Sequence, residues 1–205
     1  LAKEDAVIVT DVGQHQMFTA LYYRHRKPRA FISSGGLGTM GFGLPAAMGA
    51  ALAHPGRQVV AVCGDGGFQM NIQELTTCAL NGIPVKAVIL NNQYLGMVRQ
   101  WQELFWNKHY SRVCLKQRPE CPPQCQGPGK DCPGIYLPDF VKVAEANGVK
   151  GLRASQATEV DAVLKEGLAH PGPVVMEFLV RKEENVYPMV PGNKAIDEII
   201  MGNKK

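Results

Sequence analysis

The sequence predicts an α/β protein, with a doubly wound, mainly parallel six-stranded sheet and helices on both faces. Short apolar runs of strand length alternate along the chain with longer segments that have helical periodicity. Most of these runs lack alternating polar residues, which is typical of strands that are buried on both faces. With 205 residues, of which 45% are hydrophobic, the chain is long enough to form a core. We therefore expect one domain over residues 1–205.

The first quarter of the chain contains two predicted strands and two predicted helices. Residues 6–10 form a short apolar strand, and a helix follows from Gln14. A second short strand at 31–32 leads into a loop with four glycines, which permits close approach of the backbone to a ligand. An alanine-rich helix is predicted over 44–52, with Pro45 tolerated in its first turn.

The centre of the chain reads as one strand–helix–strand unit. Residues 59–63 form a buried strand, and residues 85–90 form the next one. Asn71 and Glu74 have the spacing of a capping box, which predicts that a helix starts there. The helix is predicted to stop at Asn81, which a glycine and a proline follow closely.

Polar residues follow both strands of this unit. Asp65 lies in a Gly-Asp-Gly-Gly turn at 64–67, and Asn92 ends the Asn-Asn pair after the second strand. Parallel strands joined by a crossover end at the same sheet edge, so these two side chains should be neighbours. A carboxylate and an amide oxygen suit Mg²⁺, and a nearby helix N-terminus favours a phosphate. An ordinary turn with an Asn-capped strand is the simpler alternative.

The last third of the chain continues the same alternation. A helix is predicted to begin after Asp139 and to stop at Asn147, and a short strand follows at 149–152. Another helix over 158–168 precedes the final strand at 174–180. These segments complete the six strands of the predicted sheet.

An irregular segment rich in Pro, Gly and Cys interrupts this pattern at 112–137. It contains Cys114, Cys121, Cys125 and Cys132, separated by six, three and six residues. These spacings match none of the common zinc or ferredoxin patterns. A structural Zn²⁺ or iron–sulfur site, one or two disulfides, and free thiols all remain open. We expect the segment to lie remote from any chemistry.

Four further motifs carry a family resemblance. They are Gly-Gln-His at 13–15, Gly-Gly-Leu-Gly-Thr-Met-Gly at 35–41, Met-Val-Arg-Gln-Trp-Gln at 97–102, and the tail at 186–192. Together with the Gly-Asp-Gly and Asn-Asn pair, they resemble the large catalytic subunit of acetolactate synthase (acetohydroxyacid synthase). The resemblance covers nearly the whole chain except the cysteine-rich segment, and it identifies the C-terminal thiamine diphosphate-binding domain.

The resemblance implies a set of cofactor contacts. The residues expected to contact thiamine diphosphate are Gln14, His15, Gly38, Met40, Gly64, Gly66, Gly67, Gly96 and Met97. Asp65, Asn92 and the backbone oxygen of Tyr94 would bind Mg²⁺. Met40 would be an apolar wedge that holds the cofactor in its bent, reactive shape.

Trp101 resembles the tryptophan that shapes the second-substrate pocket in this family. A simpler interpretation treats Val98, Trp101, Leu104 and Phe105 as the buried face of a helix, because they have helical spacing. Both interpretations can hold, since a pocket wall is also a packed surface.

The resemblance also implies a reaction. Acetolactate synthases join two 2-oxoacids, pyruvate with pyruvate or with 2-oxobutyrate, with loss of CO₂ in branched-chain amino-acid biosynthesis. No residue here is an obvious general base; in the family, the activating glutamate lies on a separate domain of a partner subunit. That domain and the FAD-binding domain are expected to lie outside this chain, which opens at Leu1. We therefore expect a fragment that is inactive alone.

Composition bears on partners and location. The net charge of +4 comes from basic and acidic residues spread along the chain, and the densest basic patch, at 24–29, follows a predicted helix. No apolar run reaches the length of about 18 residues that a membrane span needs. We expect neither nucleic acid nor a membrane as a partner, and a cytoplasmic location. The resemblance implies a homo-oligomer, dimer or tetramer, and leaves a regulatory small subunit open.

Three alternatives to acetolactate synthase remain. Another thiamine diphosphate carboligase or decarboxylase would share the metal motif but not the substrate. A subunit of a 2-oxoacid:ferredoxin oxidoreductase would use the four cysteines for a cluster. A non-catalytic module would hold no cofactor.

Overall fold

The computed structural model describes residues 1–116, 119–121 and 138–202. These residues form a six-stranded sheet in which all paired strands are parallel, in the order β2-β1-β3-β4-β6-β5. The strands are β1 (Val7–Thr10), β2 (Phe31–Ser33), β3 (Val59–Gly64), β4 (Lys86–Asn91), β5 (Lys150–Ala154) and β6 (Val174–Leu179). Each lies where an apolar run predicted it, with ends that differ by one or two residues.

Helices fill the connections between these strands. They are α1 (Gln14–Tyr22), α2 (Gly43–Ala53), α3 (Asp65–Phe68), α4 (Glu74–Leu80), α5 (Gly96–Phe105), α6 (Phe140–Ala146) and α7 (Val160–Ala169). Among the described residues, none of these helices is long and apolar enough to cross a membrane.

Both faces of the sheet are covered, as predicted. Successive residues of β6 alternate between two apolar clusters: Val175 joins the one that contains Phe68 and Phe140. Met176 joins the other, with Val163 of α7. Because successive side chains of a strand point to opposite faces, the two clusters lie on the two sides of the sheet. The doubly wound fold is therefore confirmed.

The strand order creates one crevice where the chain reverses its direction along the sheet. From β1 the chain first moves outward to β2, and it then returns to place β3 on the other side of β1. In open α/β sheets, ligands bind at the carboxyl ends of the strands at such a switch point. The segments after β1 and β3 begin at Asp11 and Asp65, which places both at this crevice.

The predicted capping box at Asn71 and Glu74 is wrong. The helical segment begins directly after Gly64, with α3 and a 3-10 turn over Gln69–Asn71, and α4 has no side-chain cap. The Asn71 amide instead donates to the carbonyl of Gly41 at 2.7 Å. A long-range contact with the glycine loop therefore uses the side chain that local spacing assigned to the cap.

The prediction of a buried apolar face on α5 is also wrong for this chain. Val98, Trp101 and Phe105 are 42%, 48% and 49% exposed. The buried residues of the helix are instead Arg99 and Gln100. Polar side chains thus face the body of the protein, and an apolar stripe faces outward.

The described part of the cysteine-rich segment lies beside Tyr94. Cys114 is buried and forms an antiparallel bridge with Tyr94, and its thiol is in no disulfide within the described ranges. Cys125 and Cys132 lie outside the described residues, so the four-cysteine hypothesis stays a prediction. Among residues 1–116, 119–121 and 138–202, no three His, Cys, Asp or Glu side chains form a metal-binding group.

Candidate functional site

A cavity of about 380 Å³ lies at the carboxyl ends of β1, β3 and β4. The segments that follow these three strands form its walls, together with the glycine loop after β2 and the segment after β6. The predicted cofactor and metal residues that line it are Gln14, His15, Gly38, Met40, Gly64, Asp65, Gly66, Gly67, Asn92, Tyr94, Gly96 and Met97. Every one of those predictions thus falls on this cavity, although contact with a cofactor stays a prediction.

Asp65 lies against the turn that follows β4. Its Oδ2 accepts a hydrogen bond from the backbone N–H of Gln93 at 2.6 Å, and its Oδ1 accepts one from Gly66 at 3.1 Å. In the same turn, Asn92 Oδ1 accepts from the backbone N–H of Tyr94 at 2.9 Å. The parallel crossover therefore brings the Asp65 carboxylate beside the turn that carries Asn92 and Tyr94.

The Asp65 carboxyl is buried and has an altered acidity. Burial raises its pKa to about 7, although the backbone hydrogen bonds from Gln93 and Gly66 act in the opposite direction and lower it. The negative charge of Glu177 raises the pKa further. A cation beside Asp65 would offset the cost of burying this charge. Mg²⁺ prefers oxygen ligands, so the carboxylate of Asp65, the amide of Asn92 and the carbonyl of Tyr94 are a donor set that fits it.

His15 is held between two glycines and lacks a partner at one nitrogen. A Cβ atom at Gly13 or at Gly64 would lie 2.8 or 2.9 Å from the His15 Cε1 atom, too close for any side chain. Burial lowers the pKa of His15 to about 4, although Asp11 acts in the opposite direction, so the ring is neutral at pH 7. Among the described residues, no group hydrogen-bonds its buried Nε2. A polar atom of this kind in a cavity wall fits a ligand that completes its hydrogen bonding.

Gly96 allows three elements to meet. A Cβ atom there would collide with the Gln14 amide and would lie 2.7 Å from Asn92 Nδ2. The start of α5 therefore packs directly on α1 and on the turn after β4, and only glycine leaves the necessary room.

Sequence reasoning missed Asp11, which holds the glycine loop. Its carboxylate is 1% exposed and accepts hydrogen bonds from Val12 (2.7 Å), Gly41 (3.1 Å) and Gly43 (2.9 Å). These bonds fix the end of the loop that carries Met40. The signal was available, because Asp11 follows a buried strand just as Asp65 does.

Sequence reasoning also missed Gln100, which joins α5 to α1 and to the tail. This side chain is 1% exposed, and its Oε1 accepts from Gln14 Nε2 at 2.8 Å and from the Val186 N–H at 2.9 Å. Its Nε2 donates to the Val186 carbonyl at 3.1 Å. The chain after β6 therefore forms a wall of the cavity, to which Val180 and Glu184 contribute.

Two other expectations change with the structure. Trp101 is outside the cavity lining, although Met97 and Val98 of the same helix contribute to it. The cysteine-rich segment is not remote from the site, since Leu115 Cδ1 lies 3.5 Å from the position of a Cβ at Gly66. Its bridge to Tyr94 explains this proximity.

Comparison with known proteins identifies related chains. Residues 11–178 match the family described as thiamine pyrophosphate enzyme, C-terminal TPP binding domain. The chain is 48% identical over 200 residues to an acetolactate synthase of Mycobacterium bovis, covering 97% of this chain and 30% of that protein.

Eukaryotic relatives give the same result. A chloroplastic acetolactate synthase 1 of Oryza sativa subsp. japonica is 44% identical over 201 residues, which cover 98% of this chain and 29% of that protein. A mitochondrial acetolactate synthase of Schizosaccharomyces pombe is 45% identical over 199 residues, which cover 97% and 27%. The chain thus spans about 30% of the length of the curated relatives that it matches. It belongs to the family of C-terminal thiamine pyrophosphate-binding domains of thiamine pyrophosphate enzymes.

Proposed function

We propose that this chain is the thiamine diphosphate-binding part of an acetolactate synthase. The observation that carries the proposal is the convergence of all the predicted cofactor and metal residues on one cavity at the switch point of the sheet. The relatives, which are named acetolactate synthases, favour this function over an oxidoreductase subunit. The proposed substrates of the whole enzyme are 2-oxoacids.

The metal in this proposal is Mg²⁺, held by Asp65, Asn92 and the backbone oxygen of Tyr94. Its support is the buried carboxylate of Asp65, which burial makes costly to ionise in the absence of a cation. The backbone of the same turn already bonds to Asp65. Mg²⁺ keeps other coordination positions for water or substrate phosphate oxygens, and these suit a diphosphate.

The diphosphate would lie against Gln14, His15 and the glycines of the Asp65 turn. The Nε2 of His15 would donate to a phosphate oxygen when the ring carries a proton on both nitrogens, a form that the negative charge of a diphosphate favours, while the other N–H keeps its bond to the Asp11 backbone. Gly66 has no side chain, and Leu95 Cδ2 and Met40 Cε lie 3.2 and 3.5 Å from the position that a Cβ would take there. Met40 would support the cofactor on its apolar side, in the role that the resemblance gives it.

Thiamine diphosphate, when bound, supplies the electron sink for joining two 2-oxoacids with loss of CO₂. The residues of this chain would bind it, orient it and exclude water from its ring. The glutamate that activates the cofactor and the FAD site would lie outside this chain. We accordingly expect the 205 residues alone to form no acetolactate.

The assembled enzyme is proposed to be a homo-oligomer that acts in branched-chain amino-acid biosynthesis. The exposed apolar stripe on α5, formed by Val98, Trp101 and Phe105, supports the association of this domain with further protein. Binding of a regulatory small subunit and a cytoplasmic location stay predictions. Two of the relatives carry the words chloroplastic and mitochondrial in their names, so the location can differ between relatives.

Acetolactate formation from pyruvate by the full-length protein tests the proposal. With Mg²⁺, thiamine diphosphate and FAD, we expect turnover in the wild-type protein and its loss in Asp65→Ala. Asp161→Ala is the matched control, because Asp161 lies on α7 with an exposed side chain paired only to Lys165 within the described residues. Normal turnover by a folded Asp65→Ala protein would refute the metal assignment, and no turnover by the wild-type protein would refute the activity.

A further inference from the structure

We propose that Glu177 and Asn91 are positioning residues that hold the turn after β4 in the shape needed to bind a divalent cation. This inference rests on the proposed function, because the cation is the one assigned to Asp65 and Asn92. Neither residue lines the cavity. Both are buried, Glu177 at 2% and Asn91 at 5% exposure.

The register of the sheet brings the two side chains together. Glu177 pairs with Ile89 across β6 and β4, and Asn91 lies two residues beyond Ile89 on the same face. Asn91 Nδ2 donates to Glu177 Oε1 at 2.6 Å. On the other side, Arg153 Nε donates to Glu177 Oε2 at 2.7 Å, which compensates the buried charge.

The Glu177 carboxylate determines which way the Asn91 amide points. An ionised carboxylate can only accept hydrogen bonds, so it selects the NH₂ end of the amide. The Asn91 Oδ1 is then directed to the backbone N–H of Gln93, at 3.1 Å. The same N–H also donates to Asp65 Oδ2 at 2.6 Å.

Gln93 needs this support because its backbone is strained. Its φ of 64° is in the left-handed region, which a non-glycine residue rarely adopts unless the surroundings impose it. Two acceptors, on Asn91 and Asp65, hold its N–H in place. A chain of hydrogen bonds thus runs from the partly exposed Arg153, which also pairs with Asp139, through the buried Glu177 and Asn91 to Asp65. It fixes the residue between Asn92 and Tyr94.

Glu177→Gln tests this chain of hydrogen bonds, because it keeps the size of the side chain and changes only its hydrogen-bonding groups. A glutamine offers one acceptor oxygen to two donors, Asn91 Nδ2 and Arg153 Nε, so one hydrogen bond must be lost. The double variant Asn91→Asp with Glu177→Gln restores the pattern with donor and acceptor exchanged. In that variant the glutamine at position 177 accepts from Arg153 through its oxygen and donates from its NH₂ group to the aspartate at position 91. The second oxygen of that aspartate accepts from the backbone N–H of Gln93.

The readout is Mn²⁺ affinity of the full-length protein with saturating thiamine diphosphate, measured by electron paramagnetic resonance. We expect Glu177→Gln to weaken Mn²⁺ binding by about tenfold, as for other residues that orient metal ligands. We expect the double variant to regain most of this loss. Glu166→Gln is the matched control, since Glu166 pairs with Lys150 on the surface.

Each outcome decides between the possibilities. Wild-type Mn²⁺ affinity in folded Glu177→Gln would overturn the inference, as would equal losses in the single and double variants. If Glu177→Gln does not fold, the double variant decides: near wild-type affinity supports the inference and weak binding overturns it. No Mn²⁺ binding by the wild-type protein with thiamine diphosphate would instead refute the proposed metal site itself.

Discussion

Gln14 Nε2 lies 2.8 Å from Gln100 Oε1, so a side chain in the cavity wall is bonded to a fully buried glutamine on another helix. The same Gln100 oxygen accepts from the N–H of Val186 in the tail. One amide therefore links α1, α5 and the chain after β6. In a buried site, each of these groups is costly to leave without a partner.

We predict that Gln100→Leu releases the tail and weakens cofactor binding. The substitution removes both hydrogen bonds to the Val186 backbone and leaves Gln14 Nε2 with only the Glu184 carbonyl among the described groups. Each buried group that stays unsatisfied costs about 1–3 kcal/mol. Hydrogen exchange should then become faster at the Val186 amide, and the affinity for thiamine diphosphate should fall. Gln102→Leu is the control, because Gln102 bonds only the backbone of Ser111 within the described residues. Unchanged exchange at Val186 would contradict this account.

We predict that Gly96→Ala impairs cofactor binding while the fold persists. Its new methyl group would collide with Gln14 and Asn92 and displace them from the cavity wall. Calorimetric titration should show much weaker Mg²⁺-dependent binding of thiamine diphosphate.

Gly49→Ala is the matched control for that substitution. Gly49 lies inside α2, and apart from its chain neighbours and the adjacent backbone of its own helix, no atom of the described residues lies within 4 Å of the position of its Cβ. Alanine in a helix interior stabilises by about 0.5–1 kcal/mol relative to glycine, so this variant should bind normally and melt no earlier. Equal binding by the two variants would show that the space at Gly96 is unimportant.

We predict that His15 makes the domain less stable in acid. Its folded pKa is about 4 and the unfolded value is 6.5, so the unfolded chain binds more protons between these values. The contribution of His15 to stability should therefore fall as the pH decreases through 6.5 towards 4, by about 2 kcal/mol between pH 7 and 5. Asp65, whose pKa is raised to about 7, contributes in the opposite direction in the same range, so the effect of His15 is measured against a His15 variant.

Denaturant unfolding of the 205-residue chain at pH 7 and pH 5 checks the effect of His15. On going from pH 7 to pH 5, the free energy of unfolding should change by about 2 kcal/mol more favourably in His15→Gln than in the wild type. His54→Gln, at an exposed position, should behave as the wild type does. An identical pH dependence in all three proteins would disprove the role of His15 burial.

The cysteine-rich segment gives a separate prediction. We expect Cys114, Cys121, Cys125 and Cys132 to form a disulfide-linked or metal-bound unit, because a cross-link or metal would offset the chain entropy of so irregular a segment. Metal analysis and thiol counting on the denatured protein distinguish the two forms. Four free thiols and no metal would exclude both.

The sequence was sufficient where structure depends on local pattern and on parallel crossovers. Buried apolar runs located every strand, and the rule for strand ends brought Asp65 to Asn92. Buried polar contacts between residues that are distant in the chain could not be predicted from the sequence. Gln100 and Glu177 carry no local signal, because their partners lie 86 residues away in the chain.

Two wrong predictions have the same physical origin. The Asn71 cap failed because the chain is already helical from Asp65, and the Asn71 side chain bonds the distant carbonyl of Gly41 instead. The buried face of α5 failed because helical spacing of apolar residues indicates a shared face but not what covers it. Trp101 lies on that face and is exposed.

Calorimetric titration of the full-length protein with thiamine diphosphate, with Mg²⁺ and with excess chelator, tests the central claim most directly. The claim is that the cavity between β1 and β3 binds the cofactor through Asp65 and the turn after β4. We predict saturable binding with Mg²⁺ and much weaker binding in chelator, with the Mg²⁺-dependent part abolished by Asp65→Ala. Binding that is equal with and without Mg²⁺, or unchanged in a folded Asp65→Ala protein, would contradict it.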